Sequence, residues 1–495
     1  MKTALLTFIS GTLIVASIHA QSNSQLLNSL DSYVEEAIKL WEPPGFAVTV
    51  VKDGDIIFTK GYGVRTLGKN NPVDNNTLFG CMSTTKAFVA AGLAMLVDDG
   101  KLNWNDKVID HLPEFQLKDP YITREINIID LLTHRTGIGN TDYLWSMMSI
   151  SSDSALYKMR EVDPSYSLRS SFIYQNLFYL AAGQVIERVS GMSWGEFLKQ
   201  RVYTPLGMSN TYATLEEIQN IENKADAHYR IDGTIKRIDQ MSADKIGPAG
   251  SMWSSINDIG KWIQFLQNKA VVGQDTLISP QNFKMLFTPH QIVPAAQFYP
   301  TQQFTQPKWM TYGLGWFQHD YRGKMVNFHT GSLPGMVAIA GLLQDEKIGV
   351  YVMGNLDHVE LRHAVMYAVF DLFLDGKISR DWSKKFHGLY HPDTEPPKTP
   401  PLEKVITASL DVENYAGTYT NDKYGWVTIS QESSGELKLN ANNTILADLD
   451  HFNHNTFDVM FERKYYGQGK ITFRLNGQGH ISYIDFFGEQ FYKTQ

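Results

Sequence analysis

The stretch "FGCMSTTKAFVAAGLAMLVDDGKL", Phe79–Leu102, places a serine and a lysine one turn apart at the head of an apolar segment. The apolar residues that follow Lys86 are spaced as in a helix, and Gly100 predicts where that helix ends. A helix that is apolar around most of its circumference is normally buried. Ser83 and Lys86, three residues apart, therefore face the same direction at the start of a core helix. A buried ammonium is costly unless it is paired or has a chemical task.

The composition is that of a globular protein, and the length is sufficient for two or more domains. The 495 residues are 43% hydrophobic and 19% charged, and the formal net charge is −8. Lysine and arginine form no runs, so we expect no nucleic-acid partner. The sequence contains neither a His-Glu-x-x-His motif nor a Cys-x-x-Cys pair, and we expect no zinc and no other cofactor.

The first twenty residues have the pattern of a signal peptide. Lys2 precedes the apolar run "ALLTFISGTLIVASI", and Ala20 is a small residue suited to cleavage. We therefore expect residues 1–20 to be removed and the protein to be secreted, or periplasmic in a Gram-negative host, with no membrane span after cleavage. An uncleaved anchor is the alternative interpretation.

Export usually favours disulfides, but Cys81 is the only cysteine and is interpreted as a small buried hydrophobe. The sequons at Asn75 and Asn442 matter only if the host has an endoplasmic reticulum.

Strand-like runs occur at both ends of the first 390 residues. "GFAVTVVKDGDIIFTKGYGV" predicts a hairpin that turns at Asp53-Gly54, and the runs after residue 325 predict another at Gln344 to Lys347. The segment between about residues 83 and 270 is mostly helical in pattern, and a further apolar helix follows the second hairpin. Residues 21–390 are therefore expected to form one α/β (α+β) domain, with a sheet assembled from both ends of the segment and covered by helices.

A proline-rich segment separates this domain from the rest. Residues 391–402, "HPDTEPPKTPPL", contain five prolines in twelve positions, which favours an extended linker with few contacts across it. Beyond it, residues 403–495 consist of short alternating runs between Gly and Asn, which predict a small all-β barrel or sandwich.

The Ser-x-x-Lys pattern alone is weak evidence, because Ser242 and Lys245 also match it. That second match lies in a polar loop, where the lysine can be solvated. Only Ser83 begins a buried helix, whose N-terminal amides can stabilise an oxyanion. A lysine held beside it in a dry site would have a lowered pKa and could accept or relay the serine proton.

Two other short motifs supply the groups that such a serine needs. Tyr174 offers a phenol for proton transfer, and Asn176 offers an amide that can orient the substrate or the lysine. The second motif is His329-Thr330-Gly331, which lies in a predicted strand. Gly331 allows another group to approach the strand backbone closely, and the Ser332 amide can donate to an oxyanion. Such tripeptides are common, and Tyr419 to Asn421 is a second Tyr-x-Asn, interpreted as packing.

The order, spacing and flanking text of these motifs resemble the serine β-lactamase and penicillin-binding-protein superfamily, nearest its class C-like branch. The resemblance covers roughly residues 28 to 375 and is carried by the segments "DLLTHRTGI", "YQNLFYLAAGQVIERVSGMSW", "PLGMSNT", "YGLGW" and "FHTGSLPG". The C-terminal segment resembles the lipocalin-like β domain that some of these proteins carry.

The resemblance implies a role for each site residue. It makes Ser83 the acylated nucleophile, Lys86 its proton partner, Tyr174 the base and Asn176 a substrate-orienting amide, with the Ser83 and Ser332 amides as the oxyanion hole. His329 stands where most β-lactamases have the lysine of a Lys-Thr-Gly triad. We therefore expect poor β-lactam turnover, and carboxylate binding that improves as the pH falls through the histidine pKa.

Two other motifs compete with this interpretation. "GMSWG", Gly191 to Gly195, fits a nucleophile elbow, but a helix precedes it instead of a strand, so Ser193 is expected to cap the next helix. His134 follows a predicted helix and is expected to cap its carbonyls.

The sequence thus favours a secreted serine hydrolase that forms an acyl-enzyme with a small peptide, amide or ester. The alternative is a secreted binding or extracellular-matrix protein that keeps the fold without catalysis. The sequence gives no basis for predicting an oligomeric state.

Overall fold

The structure is a computed structural model that describes residues 24–392 and 406–494. The predicted signal peptide and most of the predicted linker lie outside the described residues. The predicted fold class is confirmed: a mixed α/β domain is followed by a small all-β domain.

The first domain is built on an eight-stranded antiparallel sheet. In spatial order its strands are Gln291–Ile292, Met310–Tyr312, Phe317–Tyr321, Lys324–Leu333, Met336–Leu343, Ile348–Gly354, Gly45–Lys52 and Asp55–Gly63. The strand Gly45–Lys52 pairs with Ile348–Gly354, so the two ends of the domain meet in one sheet, as predicted.

Both predicted hairpins are present. Asp53 and Gly54 turn the first with φ angles of 54° and 90°, a backbone conformation that Asp-Gly turns favour.

Helices cover both faces of this sheet. They are 24–41, Thr85–Asp98, Val108–His111, Pro120–Glu125, Ile128–Thr133, Tyr143–Ser146, Ser152–Tyr157, Leu177–Ser190, Trp194–Leu198, Gly247–Gly250, Ile256–Gln267, Pro280–Phe287, Gln302–Thr305, Leu361–Asp375 and Trp382–Tyr390. Alternation along the first strand divides the core, since Phe46, Val48 and Val50 belong to one hydrophobic cluster and Ala47 and Val51 to the other.

Three smaller two- and three-stranded sheets complete the first domain. Their strands are Leu78–Gly80, Thr211–Tyr212, His228–Ile231, Thr234–Arg237, Trp253–Ser255, Val271–Val272 and Asp275–Thr276.

The second domain is a closed eight-stranded barrel, one of the two architectures that the sequence predicts. Its strands are Gly417–Asn421, Gly425–Gln431, Leu437–Ala441, Ile445–Asn453, Thr456–Phe461, Gly469–Leu475, Ile481–Phe486 and Glu489–Lys493. Closure by pairing of the first and last strands leaves no free sheet edge.

The barrel contacts the first domain, which the proline-rich linker did not predict. The Tyr143 ring lies 6.0 Å from that of Tyr424 and 5.1 Å from that of Phe487. The Lys158 amine donates to the carbonyl of Asp422 at 2.6 Å. The linker therefore does not keep the two domains apart, and independent folding of residues 21–390 stays a prediction.

Candidate active site

Ser83 lies at the entrance to the helix Thr85–Asp98. It belongs to the 3₁₀ turn Met82–Thr84, which directly precedes this helix, whereas the sequence predicts that the helix begins at Ser83. Met82 has φ 46°, a left-handed conformation that is uncommon for a residue with a side chain and that clusters at functional sites. The turn that carries Ser83 to the helix terminus is therefore strained at Met82.

Lys86 is fully buried beneath this turn, as predicted. Its Nζ donates to Ser83 Oγ at 3.1 Å, to Asn176 Oδ1 at 2.7 Å and to the carbonyl of Ala249 at 2.8 Å. These three acceptors use all the donors of an ammonium. The lysine is thus held in one position against the serine.

Burial lowers the pKa of Lys86 to about 7, although the nearby Asp142 carboxylate opposes this shift. At neutral pH much of this lysine is therefore an uncharged amine that can accept a proton.

Tyr174 is the second proton-handling group. Desolvation raises the pKa of its phenol well above the ordinary value, while a hydrogen bond with the Ser83 side chain opposes that shift. Lys86 Nζ lies 4.9 Å from the centre of the Tyr174 ring. Because this tyrosine stays protonated at neutral pH, Lys86 is the better proton acceptor of the two.

The strand Lys324–Leu333, which we call the site strand, approaches the serine turn closely at Gly331. A Cβ at this residue would lie 2.3 Å from the carbonyl oxygen of Cys81 and 3.1 Å from the Ser83 amide nitrogen. Only glycine allows this approach. The backbone beside Gly331 thus lies close to the Ser83 amide, as an oxyanion hole formed with Ser332 requires.

Thr330 and Ser332 flank this glycine and line the cleft above Ser83. Thr330 Oγ1 is 2.5 Å from the Tyr299 hydroxyl, and Ser332 Oγ accepts from the buried Arg362 at 2.9 Å. The Arg362 guanidinium also donates to the Gly331 carbonyl and pairs with Glu360. The Arg362 guanidinium therefore holds this end of the site strand in place.

His329 does not line the cleft, although the sequence predicts that it contacts substrate. Its Nε2 is 2.9 Å from the Tyr312 hydroxyl and its Nδ1 is 2.6 Å from the Thr330 carbonyl. Burial lowers its pKa to about 3. The expectation that it binds carboxylates with a pKa near 6.5 is thus wrong, because the ring is desolvated and both of its nitrogens are occupied.

His134 also departs from its predicted role. It is the left-handed C-cap residue of Ile128–Thr133, but its ring does not cap that helix. Instead Nδ1 accepts from the Gln175 amide at 3.0 Å, and Nε2 lies 3.2 Å from the Tyr312 hydroxyl. Its ring centre is 4.3 Å from that of Tyr174, so the His134 ring packs against the tyrosine ring.

Several cleft residues carry no motif and were missed. Asp142 accepts from Asn176 Nδ2 at 2.8 Å, which extends the hydrogen-bonded chain that begins at Ser83. Phe298, Tyr299 and Phe317 form an aromatic wall. The loop that carries Phe298 and Tyr299 has no regular apolar period. Its aromatic residues were the only sequence signal that could have indicated a contact surface.

The remaining predicted residues have structural roles. Ser193 caps Trp194–Leu198, as predicted, by accepting from the Glu196 amide. Lys245 donates to the Met148 carbonyl, away from the serine turn. Tyr419 is buried in the barrel, and Cys81 is buried, with burial raising its thiol pKa to about 12.

The two sequons differ in their surroundings. Asn442 Nδ2 donates to the Tyr424 carbonyl at 2.9 Å and faces Met147, so a glycan on this nitrogen is incompatible with the domain contact. Among the residues that the structure describes, Asn75 Nδ2 makes only a long contact of 3.4 Å with the Thr59 carbonyl, and its use as a sequon stays a prediction.

Within residues 24–392 and 406–494, no group of three or more His, Cys, Asp or Glu side chains could hold a metal ion. None of the helices found there has both the length and the apolar character needed to cross a bilayer.

Comparison with known proteins places this geometry in a family. The model described as Beta-lactamase matches residues 31–371. The chain belongs to the Beta-lactamase family. A second model, described only as a domain of unknown function, DUF3471, matches residues 402–495, which include the barrel. The resemblance inferred from the sequence is therefore confirmed.

Among curated proteins, "Unguisins hydrolase ungD" of Aspergillus violaceofuscus is 28% identical over 456 residues, covering 83% of this chain and 77% of its own. "Protein flp" of Staphylococcus aureus is 24% identical over 335 residues, and the match covers 66% of this chain and 63% of that protein.

Two solved structures share the fold. The octameric penicillin-binding protein homologue from Pyrococcus abyssi matches with a TM-score of 0.63 at 20% identity, covering 94% of this chain and 99% of that one. SurE matches with a TM-score of 0.58 at 18% identity, covering 96% and 100%.

Proposed function

We propose that this protein is a secreted serine hydrolase that forms an acyl-enzyme at Ser83 with a small peptide, amide or ester. The observation that carries the proposal is the fully buried Lys86 amine, 3.1 Å from Ser83 Oγ. A serine without a catalytic role does not require a buried amine beside it. A buried lysine with only a structural role would lower the stability of the fold. The name of the relative "Unguisins hydrolase" is in keeping with hydrolysis.

The first half-reaction is acylation. Ser83 Oγ attacks the substrate carbonyl carbon while its proton passes to the neutral Lys86 amine. The electron pair of the carbonyl moves to oxygen, where the Ser83 and Ser332 amides stabilise the negative charge. The bond to the leaving nitrogen or oxygen then breaks, and the leaving group takes the proton from Lys86, directly or through the Tyr174 hydroxyl.

Deacylation reverses these roles. Water attacks the acyl carbonyl and gives its proton to Lys86, and Ser83 leaves and recovers a proton from the same amine. Asn176 holds Lys86 throughout, since its Oδ1 accepts from the lysine at 2.7 Å.

We expect β-lactams to be poor substrates. The position of the family's usual Lys-Thr-Gly lysine is occupied by His329, which is buried and uncharged. A substrate carboxylate thus lacks the cation that most β-lactamases present there.

Labelling with a fluorophosphonate tests the proposal directly. The wild-type protein should be labelled at Ser83, identified by peptide mass spectrometry, and Ser83→Ala should not be labelled. Ser193→Ala is the matched control and should be labelled like the wild type. Labelling at Ser193 or Ser242 would overturn the assignment. A folded wild type that is not labelled would favour the alternative, a non-catalytic binding protein.

Secretion is tested separately. The N-terminal residue of the protein recovered outside the host cytoplasm should follow Ala20, and an intact Met1 on a membrane-bound protein would contradict cleavage.

A further inference from the structure

The charges that face the cleft above Ser83 are unevenly distributed. The cleft has a volume of about 870 Å³ including open solvent, and its lining contains the Asp142 carboxylate but no lysine or arginine among the described residues. Two cations lie nearby. Lys86 is buried under Ser83, and Arg362 is buried and paired with Glu360 at 2.7 Å. Neither cation is therefore presented to a ligand, whereas Asp142 is.

The Asp142 carboxylate retains capacity for another partner. Its Oδ1 accepts from Asn176 Nδ2 at 2.8 Å and from Trp145 Nε1 at 2.9 Å, and its Oδ2 accepts from Asn140 Nδ2 at 3.1 Å. All three donors are neutral, so they leave the negative charge of the carboxylate uncompensated. A carboxylate has about four lone-pair sites, and the side chain is only half-buried.

Aromatic side chains line the same cleft. The ring of Phe317 lies 5.2 Å from that of Tyr299 and 6.0 Å from that of Phe298, and it stacks with Tyr174 at 6.3 Å. Such rings pack against apolar groups, and their faces also attract cations. A cleft lined by a carboxylate and by aromatic rings is a suitable environment for an organic ammonium group.

We propose that Asp142 binds a protonated amine of the substrate, and that Ser83 therefore acts preferentially on substrates with a free amine and an apolar or aromatic side chain next to the scissile carbonyl. This inference rests on the proposed function. Asp142 lies close to the reacting atoms, since it is linked to Ser83 through Asn176 and Lys86 by hydrogen bonds of 2.8, 2.7 and 3.1 Å. The amine thus binds where it can orient the acyl group.

The first test uses the wild-type protein and two non-reacting probes of similar shape, 2-phenylethylamine and 2-phenylethanol. Each probe is titrated against fluorophosphonate labelling of Ser83 at pH 7.5. A charged hydrogen bond predicts that the amine half-protects at a concentration about tenfold to a hundredfold lower than the alcohol. Equal protection, or better protection by the alcohol, would overturn the proposal.

Two variants then assign the amine site. Asp142→Asn keeps the shape of the side chain and removes its charge, so the preference for the amine should fall to about onefold. Asp153→Asn is the matched control, since Asp153 is exposed in the same helical region and bonds only Gln184 among the described residues. It should keep the wild-type preference. A preference that survives in Asp142→Asn would show that another group binds the amine.

A substrate pair extends the test to turnover. Phenylalanine p-nitroanilide, in both enantiomers, should have a kcat/KM at least tenfold above that of its N-acetyl form, and a ratio near one would contradict the proposal. The two hypotheses fail differently. A wild type that is not labelled at Ser83 refutes the proposed function, whereas normal labelling without amine preference refutes only the amine site.

Discussion

The interior of the first domain contains charged groups, whereas the interior of the barrel does not. Lys86, Arg362 and Glu360 have exposed fractions of 0%, 3% and 6%. In the described barrel residues, 406–494, every buried side chain is hydrophobic, as at Val427 and Phe473. Burying a charge opposes folding unless the charge is well paired. The comparison therefore separates a region stabilised by apolar burial from one that also buries charges, of which Lys86, Arg362 and Glu360 lie at the site.

The two regions meet next to the site. Tyr143 packs against Tyr424 and Phe487 of the barrel, and the preceding residue, Asp142, holds Asn176. The barrel thus supports a segment of the first domain that reaches the hydrogen-bonded chain of Lys86. Substitutions in the three places, the charged core, the barrel and the contact between them, should affect activity and stability differently.

The largest expected effect is that of Lys86→Met on activity. Loss of the proton acceptor should lower kcat/KM by about 10²–10⁴-fold. The Tm should change little, because removing the buried amine relieves its desolvation while leaving Asn176 and the Ala249 carbonyl without a donor. Kinetics with a neutral ester and a thermal melt measure both quantities.

Lys245→Met is the control for this experiment, since Lys245 belongs to the other Ser-x-x-Lys match. It should keep activity within about twofold, since its amine bonds the Met148 carbonyl and not the serine turn. A larger loss in Lys245→Met than in Lys86→Met would refute the role assigned to the buried charge.

The next effect is a pH dependence. Because catalysis needs the neutral amine and the pKa of Lys86 is about 7, kcat/KM should rise with pH and fall about tenfold per unit below pH 7. Burial holds the pKa of His134 well below its usual range and that of His329 at about 3, so neither histidine titrates in this window.

Asp142→Asn sharpens this result. The Asp142 carboxylate raises the pKa of Lys86, so its removal should shift the rising limb to lower pH. The measurement is kcat/KM for a neutral ester between pH 5 and 9. A limb that does not move in the variant would show that a different group is titrating.

How much of this site could be predicted depends on the kind of signal. Ser83, Lys86, Tyr174 and Asn176 stand in short local motifs with helical context, and the structure brings them together. The site strand and the alternating strands of the barrel were also predicted, because the patterns of strand residues are local.

Other features depend on contacts between distant segments. Asp142 lies in a short helix without a motif, and Arg362 reaches the site strand from a helix whose sequence signals only apolar packing. His329 was placed in the correct strand, but its partner Tyr312 comes from another strand, and so its burial could not be predicted. The linker composition likewise gave no information on whether the domains touch.

A smaller effect is expected where the two domains touch. Tyr143→Ala should lower kcat/KM by roughly 5–20-fold and the free energy of unfolding by about 1–2 kcal/mol, because it removes a ring from the barrel contact next to Asp142. Tyr157→Ala is the control, since this ring is 60% exposed in the same helical region. Kinetics and urea unfolding of the full chain would test both values.

The same contact changes the expectation for a chain cut near Glu395. The first domain should still fold, but it should resemble Tyr143→Ala in activity, because both lose the barrel's support. A truncated protein with full activity would show that the barrel does not act through this segment.

The smallest expected effect concerns His329. Its ring is buried, uncharged and bonded at both nitrogens, so it should not influence how the cleft discriminates between charged and neutral substrates. The measurement is the ratio of kcat/KM for a carboxylate-bearing ester to that for a neutral ester from pH 5 to 8, in the wild type and in His329→Gln. Because only the form with a neutral Lys86 reacts with either ester, the fraction of that form cancels in the ratio, and the ratio should stay flat with pH in both proteins. A profile that flattens only in His329→Gln would mean that the histidine is protonated in this range, and hence that its surroundings are wetter than the structure shows.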